Sequence, residues 1–307
     1  MSNSEPEDDI PDELLLVGHV MAHAANEVLL LGRLELNFNP LPANITGTDA
    51  DVKALEQRTA KLIQALGGPP RLIIVTDDQP RPQYDTYAEA AISEAILMFH
   101  RARSSVCRTH MHFIAGSMIE KEPQLLSWPG DPKIAALMQS LTIREFWEHA
   151  ETSFIKLASL WDRLGQLLDF VFFNIRQYER DGFPAVVDRI AANYLPVYEE
   201  LRVSESWQAI REYQTSERTE GLKWLLKRRN LLVHSLHLRP IDEAGDSEDP
   251  IFESAFNHLD NSAKKRLAPG NREEELNHLH DHLTAAATLF NEILSLCEIG
   301  AKLRSQI

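Results

Sequence analysis

The residues best suited to chemistry stand together in the segment Glu217–Leu238, which reads ERTEGLKWLLKRRNLLVHSLHL. Taken as a helix, it carries an apolar stripe of Leu222, Leu225, Leu226, Leu232, Val233 and Leu236. At about 100° per residue, Arg229 projects through the middle of that stripe, while Lys223, Lys227 and Arg228 read as ordinary solvated bases. A guanidinium facing a bundle interior costs several kcal/mol unless it is paired or placed at a cleft. Asn230 and His234, four apart, share one face and can converge on one ligand. An imidazole titrating near neutrality moves protons, and a planar, permanently charged guanidinium suits an oxyanion. Arg229 and His234 stand five apart, about 140° around a helix axis, so one helix does not aim both at one point. Two copies related by a two-fold axis bring such edges together, which makes a homodimer the natural setting.

The run Arg229-Asn230-Leu231-Leu232-Val233-His234 has the form R-N-x-x-x-H and resembles the motif of the HEPN superfamily. These are helical-bundle domains of prokaryotic toxin–antitoxin, CRISPR and abortive-infection systems and of some eukaryotic proteins. The resemblance spans roughly Thr142–Leu303, and nothing comparable covers the N-terminal half. It implies metal-independent cleavage of RNA at a homodimer interface, with no cofactor, no metal and an antitoxin or other regulatory protein as a possible partner. In that chemistry His234 takes the proton of a ribose 2′-OH or protonates the leaving 5′-oxygen. Arg229 stabilises the charge on the phosphorus centre, and Asn230 orients His234 or donates to a phosphate oxygen. Asp162 and Asp169, on an earlier helix, are candidate acids to pair with Arg229 or hold the imidazole. Other members of the superfamily keep the bundle without cutting RNA, so a non-catalytic module for RNA or protein binding and dimerisation is the alternative. A purely structural reading also stands: Arg229 paired with Asp162 or Asp169, and His234 a satisfied helix histidine.

The elements that must position these residues read as helices almost throughout. Periodicity and stop signals predict helices over Leu14–Leu36, from Thr48 or Asp49 to Gly67, and from Tyr84 to about Glu120, the last as one helix or two meeting near Ser104-Ser105. Arg71–Thr76 is the one strand candidate. Pro123, Pro129, Gly130 and Pro132 mark the strongest boundary, separating a helical N-terminal region, residues 1–125, from a bundle over 140–307. Beyond it Thr142–Tyr178 carries Phe146, Ala150, Phe154, Leu157, Trp161, Leu164, Leu168, Val171 and Ile175 at three- and four-residue spacing. Further helices fit Pro184–Tyr194, Ser204–Tyr213, Glu217–Leu238 and Arg272–Leu303. The expected fold is all-α: a C-terminal bundle of four to five helices and a helical N-terminal region with at most one short strand.

Composition bounds the partners. The chain has 307 residues, 44% hydrophobic, with Lys+Arg 31 against Asp+Glu 46 and a formal charge of −15, which excludes a protein that coats nucleic acid by bulk electrostatics. Two cysteines, Cys107 and Cys297, exclude a disulfide scaffold and fit a reducing compartment. Met1–Glu13 holds six acids and no base, the opposite of an export signal, and Leu14–Gly32 includes His19, His23, Asn26 and Glu27, too polar to span a membrane. A cytoplasmic protein with a buried Leu14–Gly32 helix is expected. Much of the negative charge lies in that N-terminus and in Pro240–Glu253, which has six acids and reads as a solvated loop. Other constellations carry less: His278, His280 and His282 alternate sides of a helix and read as a solvated surface. His19 and His23 lack an intervening acid, and Ala263–Arg266 is a small basic cluster. No phosphate-binding glycine loop or serine-nucleophile motif is present.

Overall fold

The computed structural model describes residues 12–35, 49–67, 71–74, 80–83, 85–127, 130–176, 182–234, 267 and 269–304. The fold is all-α apart from one short β-ribbon. Its helices are α1 (Asp12–Glu35), α2 (Asp49–Leu66), α3 (Tyr87–Lys121), α4 (Pro132–Phe173), α5 (Phe183–Asn193), α6 (Glu199–Arg202), α7 (Glu205–Thr215), α8 (Leu222–His234) and α9 (Arg272–Arg304).

Three long helices make the core, and each buries a row at intervals of three and four residues. On α3 the row is Ala88, Ile92, Ala95, Phe99, Ala102 and Val106; on α9 it is Leu276, Leu279, Leu283, Ala286, Phe290, Ile293 and Cys297. The α4 stripe from Phe146 to Val171 is wholly buried, and Ile175 lies past the helix end. A mean spacing of 3.5 keeps each row facing its neighbours along the whole length. Contacts Glu94–Arg163, Thr109–Ser153 and Phe113–Phe146 run α3 antiparallel to α4, and Phe99–Phe290 and His110–His280 run it antiparallel to α9. Where α9 crosses the end of α4, a side chain at Gly300 would meet Val171 Cγ1 at 2.6 Å, so only glycine permits that approach.

Several boundaries differ from expectation. Helix α4 begins at Pro132, ten residues earlier than Thr142, because Asp131 accepts a cap bond from the Lys133 amide (2.8 Å) and proline is at home in a first turn. It ends at Phe173, where Asn174 takes the left-handed conformation at φ 54°. Helix α3 runs unbroken through Ser104-Ser105. Ser104 donates to Glu27 of α1, and Ser105, Thr109 and Ser153 form a buried hydroxyl cluster between α3 and α4 with contacts of 3.1 Å. Pro123–Ser127 forms a short 3-10 turn after α3, and the buried residues of α3 and α4 belong to one core.

The single strand gains a partner: β1 (Arg71–Ile74) pairs antiparallel with β2 (Pro80–Gln83), Leu72 opposite Pro82 and Ile74 opposite Pro80. Prolines at alternate positions of a two-stranded ribbon can leave their missing amides on its free edge, which is why a proline-rich segment still pairs.

Helix α1 is the largest departure. It was expected to be buried, yet Leu14, Leu16, Val17, Val20, Met21 and Leu29 are exposed. Its half-buried row is His23, Glu27 and Leu30, and Glu27 receives hydrogen bonds from Ser104 and Arg108 of α3. Polar partners on α3 decide which side of α1 faces inward. Among the described residues, α9 is the helix long and apolar enough to cross a membrane, and the apolar residues that make it so are core of the bundle.

Candidate functional site

The R-N-x-x-x-H run lies in α8, which follows the turn after α7 and packs on α4 and α9. Trp224 anchors it: the indole lies edge-on to Phe154 of α4 (5.8 Å), stacks on His282 of α9 (5.4 Å) and touches His278 (5.0 Å). His282 is therefore buried and His278 is drawn against Trp224, rather than forming the solvated surface expected of the 278–282 stretch. Tyr213 of α7 closes over His282 at 3.4 Å.

Gly221, just before α8, and Leu222, Trp224, Leu225, Arg228 and Leu232 within it are buried, centred on the line Gly221, Leu225, Arg228 and Leu232, and this corrects the expectation for both arginines. Arg228, read as a solvated base, is 0% exposed. It is ion-paired with the equally buried Glu275 of α9, donates to the Leu267 carbonyl, and lies over the rings of Phe154 and Trp224 at 5.5 Å. Arg229, expected in mid-stripe, sits on its edge with its side chain 30% exposed. The reason is geometric: the expected stripe included Leu226 and Val233, but Val233 is 52% exposed and Leu226 half-buried. Trp224 turns the helix so that the buried centre falls nearer Arg228.

Arg229 donates to Asp162 of α4 across 3.3 Å. Burial raises the Asp162 carboxyl above the ordinary carboxylate range, and the charges of Arg229 and then Arg163 pull it partly back. Asp169 is engaged elsewhere: nearly buried, it receives Arg189 of α5 at 2.6 Å and is not the partner of Arg229. Asn230 is exposed beside Arg229. His234 is the last residue of α8, and its side chain lies outside the described residues, as do the acidic segments 1–11 and 240–253 and the basic cluster 263–266. The basic edge of α8 is thinner than its composition suggests. Arg228 is neutralised internally and Lys223 contacts Glu217 at 3.1 Å, which leaves exposed Lys227 and half-exposed Arg229.

Two further features were not singled out by sequence reasoning. A groove of about 600 Å³ between α2 and α9 is lined by Arg58, Lys61, Leu62, Glu298 and Lys302 among others, and contains none of the motif residues. His112 of α3 approaches Glu145 and His149 of α4, and the i, i+4 spacing of the latter two was the visible signal.

No protein-family model matches the chain, and no curated protein and no solved structure matches it.

Proposed function

We propose that this chain is a HEPN-type endoribonuclease that cuts RNA without a metal ion at a homodimer interface. Its setting would be the cytoplasm, in a toxin–antitoxin, phage-defence or stress response. The observation that carries the reading is the division of labour between adjacent arginines. Arg228 is locked inside the fold, whereas Arg229, at the surface beside exposed Asn230, is held by one contact to Asp162. A guanidinium tethered on one side keeps donors free for a phosphate, and the carboxylate limits how far it swings. His234, one turn beyond Asn230, would take the 2′-OH proton as the 2′-oxygen attacks phosphorus. The 5′-oxygen leaves with a proton and a 2′,3′-cyclic phosphate remains. Arg229 would stabilise the charge that accumulates on the phosphoryl oxygens.

The test is incubation of purified protein with labelled RNA in EDTA. Cleavage leaving cyclic-phosphate ends is expected, and Arg229→Ala or His234→Ala should abolish it while helical circular dichroism is unchanged. Intact RNA across varied sequences, from a folded dimer, would refute the enzymatic reading. It would favour the second one, a non-catalytic module for RNA or protein binding. The exposed apolar row of α1 favours that alternative, since a surface of leucine, valine and methionine is typical of a protein-binding face.

A further inference from the structure

The packing of α3 against α4 creates a second concentration of chemistry, well separated from Arg229. Three donors from two helices converge there: an imidazole nitrogen of His112, a carboxylate oxygen of Glu145 and an imidazole nitrogen of His149, all within 4.8 Å of one another. Glu145 and His149 are one turn apart on α4, with Oε2 and Nε2 at 3.7 Å. His112 comes across from α3, its ring stacked on that of His149 at 5.1 Å. The pairing is rigidly held on both sides, by Phe113 against Phe146 and by the Thr109–Ser153 hydroxyl contact. Each of the three is half-buried, so the cluster is walled yet reachable from solvent.

Donor type and spacing decide what such a cluster takes. Two imidazoles and one carboxylate suit a borderline divalent ion such as zinc, and magnesium and calcium prefer all-oxygen sets. Tetrahedral coordination with bonds near 2.0–2.1 Å places donors about 3.4 Å apart. The Glu145–His149 separation of 3.7 Å is already close to that, and the donors, all within 4.8 Å, need to close by at most about 1.4 Å through side-chain rotation. Burial lowers the pKa of His112 and of His149, so both rings favour the neutral form that ligates a metal.

We propose that His112, Glu145 and His149 form a binding site for one divalent transition-metal ion, zinc by donor chemistry, bridging α3 and α4. Three protein ligands leave a fourth position for water. The ion would pin the hairpin next to the point where Glu27 of α1 accepts hydrogen bonds from Ser104 and Arg108 of α3. Asp162 stands thirteen residues beyond His149 on α4, about 20 Å at the rise of a helix, so this site and the Arg229 edge are separate. The proposal therefore stands whether or not the protein cuts RNA.

The experiment uses the full-length chain stripped with EDTA and dialysed, then titrated with zinc by calorimetry and with cobalt by visible absorption. One zinc per chain at micromolar affinity or tighter is expected, with cobalt d–d bands of four- or five-coordinate nitrogen–oxygen ligation and a rise in Tm. His112→Gln and His149→Gln should each weaken zinc binding about 100-fold or more, since even outer-shell losses cost 10–100-fold. Glu145→Gln removes only the anionic donor from a half-exposed position and should weaken it about tenfold or more while the helix persists. That variant decides the matter should a histidine variant fail to fold. His278→Gln, in the separate histidine cluster of α9, should leave binding unchanged. The proposal is overturned by zinc affinity weaker than about 100 μM in the unaltered protein, or by full affinity in folded Glu145→Gln. Loss of binding in His278→Gln alone would likewise overturn it.

Discussion

Replacing Arg228 with alanine tests how α8 is held, and with it the basis for assigning Arg229 a functional role. The substitution removes a buried ion pair with Glu275, a bond to the Leu267 carbonyl, and cation–ring contacts at 5.5 Å with Phe154 and Trp224. Glu275 stays behind at 1% exposure, its remaining contact a 2.7 Å bond from the Gly270 amide. Breaking one partner of a buried pair costs about 3–5 kcal/mol, mostly from the orphaned charge. At about 2–4 °C per kcal/mol for a chain of this size, Tm should fall by about 6–20 °C. Arg229→Ala removes a pair that is 30% and 35% exposed, worth about 0–1 kcal/mol, and should shift Tm by less than about 4 °C. The double change Arg228→Met with Glu275→Leu should recover most of the loss, because apolar groups of similar volume replace buried pairs at little cost. Thermal melts followed at 222 nm read all three. Equal shifts for the two arginines, or a fall under about 2 °C for Arg228→Ala, would refute the assignment of one to the core and the other to the surface.

Two other measurements probe the core. Burial, and then the charge of His278, lowers the fully buried His282 to about 3. Burial likewise lowers His280 and His100 to about 4, helped by the charges of His110 and Arg103. The unfolded chain binds these protons near pH 6.5, so stability is fully present above that pH and is lost as pH falls towards 4. His282 alone accounts for about 2 kcal/mol between pH 6.5 and 5. The urea midpoint should decline over that interval and decline less steeply in His282→Phe; a flat profile in the unaltered protein would contradict the burial. At Gly165 an added Cβ would meet the Phe183 Cα at 2.9 Å, backbone that cannot step aside. Gly165→Ala should therefore destabilise by about 1–3 kcal/mol in denaturant titration, and a neutral result would mean that α4 and α5 can part.

What could be read from the sequence followed from local periodicity. The α4 row from Phe146 to Val171 was visible because every contact partner lies on the face that its own spacing defines. The rotation of α8 was not, because it depends on Trp224 wedged against α4 and α9, which seats Arg228 on Glu275, 47 residues away. Averaging Leu226, Val233 and Leu236 into the stripe moved its apparent centre onto Arg229. Helix α1 misled for a related reason. Its leucines argued for burial, but orientation was decided by Glu27 meeting Ser104 and Arg108 on a helix more than seventy residues later. Of the zinc-type cluster, Glu145 and His149 were legible as neighbours on one helix. His112 could join them only once the α3–α4 register was known.

The doubled arginine has one more consequence. Alongside the buried line Gly221-Leu225-Arg228-Leu232 runs a second, Leu222-Leu226-Arg229-Val233, displaced by one residue and of similar character, which is buried at Leu222 and turns outward towards Val233. The helix is degenerate in rotation: turned by about 100°, it would offer the groove two leucines, an arginine for Glu275 and a valine. Neither arginine distinguishes the two settings. Trp224 does, because in the alternative it would swing from Phe154 and His282 out to water and forfeit the burial of a side chain of about 200 Å². A single indole, rather than the charged residues of the motif, is what decides which guanidinium reaches solvent.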